Sequence, residues 1–251
     1  MGGWVEAGLW GLVGGLALVA GAAVAWWVRV PPRVTAGVMA FGSGVLISAL
    51  AFDLADEAAD TGGLGPAVAG LALGAVLYVA ANVLLARHGA RHRKRSGGLQ
   101  PSEADQAGSG TAIAVGSLLD GIPESVVLGL SLLGGNGVSA SVAAAVVISN
   151  VPEGLSSAAG MKRAGRSARF VFGLWGAVAV TVALAAAGGY ALLGSASPEL
   201  VAVITAVAAG AILTMVADTM IPEAFERAHL FTGLITTAGF IVAFALSRAG
   251  G

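Results

Sequence analysis

The chain of 251 residues is 57% hydrophobic and only 11% charged, with a mean hydropathy of +0.87. Soluble domains carry about 25% charged residues, so composition alone makes this a multi-span membrane protein, expected to form one domain over residues 1–251. A net charge of −1 leaves no electrostatic footprint for nucleic acid, and the absence of cysteine excludes disulfides and thiolate metal sites.

Eight apolar segments approach the ~20 residues that a spanning helix needs. They are expected near residues 4–27, 34–56, 65–86, 111–134, 138–161, 168–194, 199–222 and 230–248. The expected fold is all-α, an eight-helix transmembrane bundle in contact with the lipid bilayer. Ahead of the first segment, Glu6 stands where a signal peptide would carry basic residues, so that segment is expected to be retained. Gly11 with Gly15, and Gly70 with Gly74, have the spacing that lets helix backbones approach. Packing within the chain is the ordinary reading of these pairs, and a homodimer contact is the other. Trp4, Trp26 and Trp27 suit the membrane interface, as does Trp10 if it is not core.

The second segment ends in Asp53, Asp56 and Glu57, with Asp60 just beyond, and Asp53 and Glu57 share a helical face. Between the third and fourth segments lies the longest connection, about 87–110. It carries His88, Arg91, His92, Arg93, Lys94 and Arg95, then a tail rich in Gly, Ser, Asp and Gln. The connection is expected in the cytosol, and its tail reads as a flexible loop. His88 and His92 are either ordinary loop residues or a weak cytosolic metal site.

The fourth segment contains Asp120-Gly121-Ile122-Pro123-Glu124-Ser125, and the fifth contains Ser149-Asn150-Val151-Pro152-Glu153-Gly154. Each places a carboxylate directly after a proline, deep in apolar sequence. An ionised carboxylate in hydrocarbon costs at least ~2.5 kcal/mol, so both should face the bundle interior or a water-filled path. Proline has no N–H, so each site also frees a backbone carbonyl four residues back. Ser117, Asp120, Gly121 and Glu124 share one helical face, as do Ser149, Asn150, Glu153 and Ser157. At 1.5 Å per residue, Asp120 lies ~14 Å inside its segment and Asn150 ~18 Å inside the opposite end of an antiparallel one. The two stripes should meet near the midplane as an inverted pair. Side-chain and backbone oxygens in such a cluster suit a divalent cation. A proline kink whose carboxylate only caps released backbone groups is the plainer alternative.

The seventh segment ends in Asp218, Pro222 and Glu223, with Glu226 beyond. If the first segment enters from outside, the cytoplasmic connections hold every one of the 13 Lys and Arg residues except Arg248. The positive-inside rule selects this arrangement, with both termini extracytoplasmic in the cytoplasmic membrane. Asp53 and Glu57 then mark an outer mouth, Asp218 and Glu223 an inner one, and Ser149 lies on the route between. No His-Glu-x-x-His run or Gly-x-Ser-x-Gly elbow is present, so an enzyme is not expected.

Read with these motifs, the chain resembles the ZIP (Zrt/Irt-like) family of metal transporters along nearly its whole length. The family's fourth span carries a pattern like His-Asn-x-Pro-Glu-Gly, matched by residues 120–125, and its fifth a related Pro-Glu-Gly motif, matched by residues 150–154. Its second span often reads Gly-Val-Phe-Leu and then His-Leu-Leu-Pro-Glu-Ala, set here against Gly44-Val45-Leu46-Ile47 and Asp53-Leu54-Ala55-Asp56-Glu57-Ala58. The resemblance implies transport of a divalent metal, zinc first, with manganese, iron or cadmium as alternatives and no other cofactor. The departures are Asp120 for the family's histidine, Gly121 for its asparagine, Asn150 where some members have aspartate, and a sixth span without the glutamate that some members have. A single-metal site of Asp120, Glu124, Asn150 and Glu153 is therefore expected, with zinc selectivity relaxed by the loss of imidazole. A metal sensor or inactive paralogue is the competing reading, and a membrane-embedded metal-dependent enzyme a remoter one.

Overall fold

The computed structural model of the protein describes residues 2–94, 100–134 and 140–249. Arg95 and the first two residues expected of the fifth span lie outside these. The helices are α1 (Gly3–Trp27), α2 (Pro32–Ala49), α3 (Asp56–Gly62), α4 (Leu64–Leu85), α5 (Ser109–Ser131), α6 (Ala140–Arg163), α7 (Ala168–Leu193), α8 (Pro198–Met215), α9 (Ile221–Ala228) and α10 (Thr232–Ala249). Among the described residues there is no strand, and seven stretches are long and apolar enough to cross a membrane. The protein is a multi-pass, all-helical membrane protein.

Local chemistry sets the ends. Pro32 and Pro198 occupy first-turn positions, where a missing N–H costs nothing. The hydroxyls of Ser167 and Ser197 accept from the backbone N–H groups of Phe170 and Leu200 and so cap α7 and α8. Two helices overrun the limits that hydropathy suggests. The second candidate span continues to Gly62, and α9 carries the chain on to Ala228. The acidic residues there end the apolar run without ending the helix. The last candidate span, Pro198–Arg248, covers 51 residues, roughly 76 Å of helix against a ~30 Å hydrocarbon core. It breaks at His229, whose φ is +44°, between α9 and α10.

Backbone contacts between helices run through glycine. Gly21 and Gly154 join α1 to α6, a Cβ on either lying only 2.0 or 2.1 Å from the partner's carbonyl oxygen. Gly44 and Gly239 do the same for α2 and α10, and Gly74 and Gly210 for α4 and α8. Gly11 and Gly15 press on α7, and Gly70 on α8, so these four-residue spacings serve packing within the chain.

The packing has a repeated plan. α1 packs on α6 as α7 packs on α5, and α2 packs on α10 as α8 packs on α4. Helices α2 and α8 are each 18 residues long, each begins at a proline, and each runs into a π-helical turn and then a short helix. Those turns, Leu50–Ala55 and Val216–Met220, contain Asp53 and Asp218. A π turn is an unusual feature found often at functional positions.

Candidate cation site

α5 and α6 bring their motif carboxylates into the bundle interior. Asp120, Glu124 and Glu153 are 2, 2 and 3% exposed, so all three are screened from lipid and bulk water. Glu124 lies near enough to Glu153 and Asp120 for their charges to interact. Its Oε1 has no hydrogen-bond partner among the described residues. A buried carboxylate oxygen without a partner is a costly arrangement, and its retention marks a place where a ligand can repay the cost.

The surprise is what stands beside these carboxylates. After α4 the chain turns through Ala86–Ala90, with Gly89 at φ +97°, and sends Arg93 and Lys94 into the bundle. They are 2 and 3% exposed. The Arg93 guanidinium grips Asp120 with two parallel bonds, Nε to Oδ2 and Nη2 to Oδ1, both 2.8 Å. Its remaining N–H groups donate to Asn82 Oδ1 at 2.7 Å, the Ala90 carbonyl at 3.3 Å and the Tyr78 hydroxyl at 2.8 Å. All five donors of the fork are used. Tyr78 in turn donates to Asp120 Oδ1 at 2.7 Å. The Lys94 ammonium lies 2.8 Å from Glu153 Oε2 and 3.4 Å from Asp120 Oδ2, spanning α5 and α6.

The backbone of this segment is also fixed. Ser156 Oγ is 2.6 Å from the Lys94 carbonyl and 2.8 Å from Glu223 Oε1. Gln100 Nε2 donates to the Arg93 carbonyl at 2.8 Å and to that of Ser157 at 3.1 Å. Further out, Glu103 accepts from Arg166 and from the N–H groups of Gly108 and Gly110. Those bonds, Arg166 foremost, hold the Glu103 carboxyl down at about 2, against an ordinary value of 4.5. The described parts of the 87–110 connection are therefore folded onto the bundle. Two buried ion pairs offset the entropy of ordering Arg93 and Lys94, and in the described residues of the tail, expected to be flexible, Gln100 and Glu103 are bonded to neighbouring segments.

Apolar side chains also pack against Glu124. A void of about 10 Å³, lined by Glu124 and by Leu46, Leu50, Val127, Val146 and Ile212 among others, is barely the ~10–15 Å³ that one water needs. One turn further along α5, Leu130 lines an open cavity of about 280 Å³ with Glu57, Thr61 and Thr205.

The other expected site residues are distributed as follows. Asn150 Nδ2 donates to the Gly14 carbonyl of α1 at 3.0 Å, which ties α6 to α1. Ser149 Oγ bonds back to the Val146 carbonyl of its own helix. Asp53 accepts from Ser247 of α10 at 2.8 Å, and Glu57 lines the cavity that Leu130 reaches. Asp218 lines a second cavity of about 280 Å³ with Asn82, Arg91 and His92. His88 Nδ1 lies 3.0 Å from the Leu84 carbonyl at an exposed position. Among the described residues no three His, Cys, Asp or Glu side chains converge as metal ligands in this conformation.

Arg93, Lys94, Tyr78, Asn82, Gln100 and Ser156 were not among the expected site residues. A signal for some of them exists. Tyr78 and Asn82 are the polar residues of α4 and sit four apart on one face. Gly116 leaves room for Arg93, whose Cδ would be 2.5 Å from a Cβ there.

Fold and site together define a polytopic helical membrane protein with a closed, charged centre between two proline-containing helices. No protein-family model matches the chain, and no curated protein matches it.

Proposed function

We propose that this protein moves divalent transition-metal ions across the cytoplasmic membrane, zinc first, with manganese, iron(II) and cadmium as alternatives. The observation that carries the reading is Glu124. It is a buried carboxylate with an oxygen unpartnered among the described residues, beside Glu153 and Asp120, in the middle of a membrane-crossing bundle. Such a group is functional by default in a membrane span. Asp120, Glu124 and Glu153 are the proposed ligands, with Asn150 able to join only by leaving Gly14.

Other features support a carrier. The matched packing of α1 with α6 and α7 with α5, and of α2 with α10 and α8 with α4, fits an inverted repeat with the site at its interface. Dividing the last candidate span at His229 gives the eight spans of the ZIP resemblance. Arg29, Lys162 and Arg163 line one cavity of about 350 Å³ where α1, α2 and α6 meet, consistent with a cytoplasmic end. Metal would then enter past Glu57, be held at the midplane and leave past Glu223 and Asp218 as helix groups rock.

A second reading is a metal sensor or a non-transporting paralogue, favoured by Lys94 lying where a cation would be held. Uptake by proteoliposomes over zinc, manganese, iron(II), cadmium and magnesium separates the two. Saturable flux of at least one transition metal supports the carrier. Binding without flux supports the sensor.

A further inference from the structure

We propose that the segment from Ala90 to Lys94 forms an inhibitory plug in which the Lys94 ammonium is a tethered stand-in for the transported cation. Transport then requires Lys94 to withdraw from Asp120 and Glu153. This inference rests on the transport reading above and adds a regulation of the same site.

The geometry is that of an occupied cation site. One positive nitrogen sits between carboxylates of two antiparallel helices, at 2.8 and 3.4 Å, with its side chain 3% exposed. A divalent ion bound to those oxygens at ~2.0–2.2 Å and an ammonium cannot share the space. Arg93 has a different part. Its five satisfied donors make it an anchor that positions the segment and keeps Asp120 in place.

The surroundings are shaped for the plug. Gly116 provides the channel for the Arg93 side chain, and Gly89 supplies the left-handed turn that aims the segment inward. Ser156 and Gln100 hold its backbone by the Lys94 and Arg93 carbonyls. Ser156 also donates to Glu223 of α9, so the Lys94 carbonyl and Glu223 share one hydroxyl, and withdrawal of the plug leaves that hydroxyl to Glu223. Metal arriving at the centre and the plug are therefore competitors for Glu153.

Amide hydrogen exchange over residues 86–108 of the wild-type protein, with and without saturating zinc or manganese chloride, tests this. The chain needs no substitution for it. The plug predicts faster exchange when metal is present, because metal displaces Lys94. Unchanged or slower exchange overturns the proposal. In parallel, Lys94→Met should exchange fast without metal. Its half-saturating concentration for uptake should fall about threefold or more, as expected when a competing closed state is removed. A folded Lys94→Met protein with unchanged or weaker uptake also overturns the plug. If neither wild type nor Lys94→Met moves any cation, the transport reading fails, and the exchange data on wild type still decide whether metal and Lys94 compete.

Discussion

Asp120 and Glu124 are both buried carboxylates on one face of α5, yet they differ in kind. Asp120 is one half of a bidentate pair with Arg93, and Glu124 Oε1 has no partner among the described residues. Breaking one side of a buried pair strands the other charge and costs about 3–5 kcal/mol. Asp120→Asn should therefore lower the thermal midpoint in detergent sharply. Asp120→His, which the ZIP resemblance alone makes look benign, should do the same. Glu124→Gln breaks no pair and should cost no more than about 1 kcal/mol. Equal losses in the Asn and Gln variants would mean that Arg93 does not hold Asp120. The sequence made both Pro-Glu pairs visible, because carboxylates after proline are rare in apolar spans. It did not show Arg93 or Lys94 in the site, since basic residues in a connection ordinarily stay in water and the positive-inside rule places them there.

At the scale of elements, the spans were legible because lipid demands long apolar helices. Their ends were not, since Asp56 to Gly62 and Glu223 to Ala228 stay helical after hydropathy falls. The likeness of α2 and α8 was written in the sequence as Pro32 and Pro198, Gly44 and Gly210, and Asp53 and Asp218. It emerges only when the glycine contacts align the two helices, because apolar spans share composition too freely for such a match to stand out. The connection before α5 is latched through Glu103, which makes a pH prediction. A folded-state value held down at about 2, against an ordinary 4.5, contributes stability above pH 4.5, and that contribution is lost as pH falls through about 2. Glu103→Gln should lower the thermal midpoint at pH 6, and its difference from wild type should shrink below pH 4.5 and vanish near pH 2. A difference independent of pH would show that the Glu103 charge does not hold the latch.

For the whole molecule, the charge distribution predicts orientation. The protein contains no cysteine, so single introduced thiols report cleanly. A cysteine replacing Ser195 should react with an impermeant thiol reagent added outside cells, and one replacing Arg33 should not. The reverse pattern would invert the mouths assigned to Glu57 and Glu223. On the proposed transport reading, the apolar layer around Val127 and the ion pairs of Arg93 and Lys94 together close the centre, as in an occluded state of a carrier. A carrier must open each layer in turn. The measurement that bears most directly on this account is zinc and manganese uptake by proteoliposomes holding wild type or Glu124→Gln, with thermal midpoints confirming that both are folded. The account predicts saturable uptake by wild type and loss of most of it in the variant. Wild-type flux through a folded Glu124→Gln protein would mean that the metal does not pass this site.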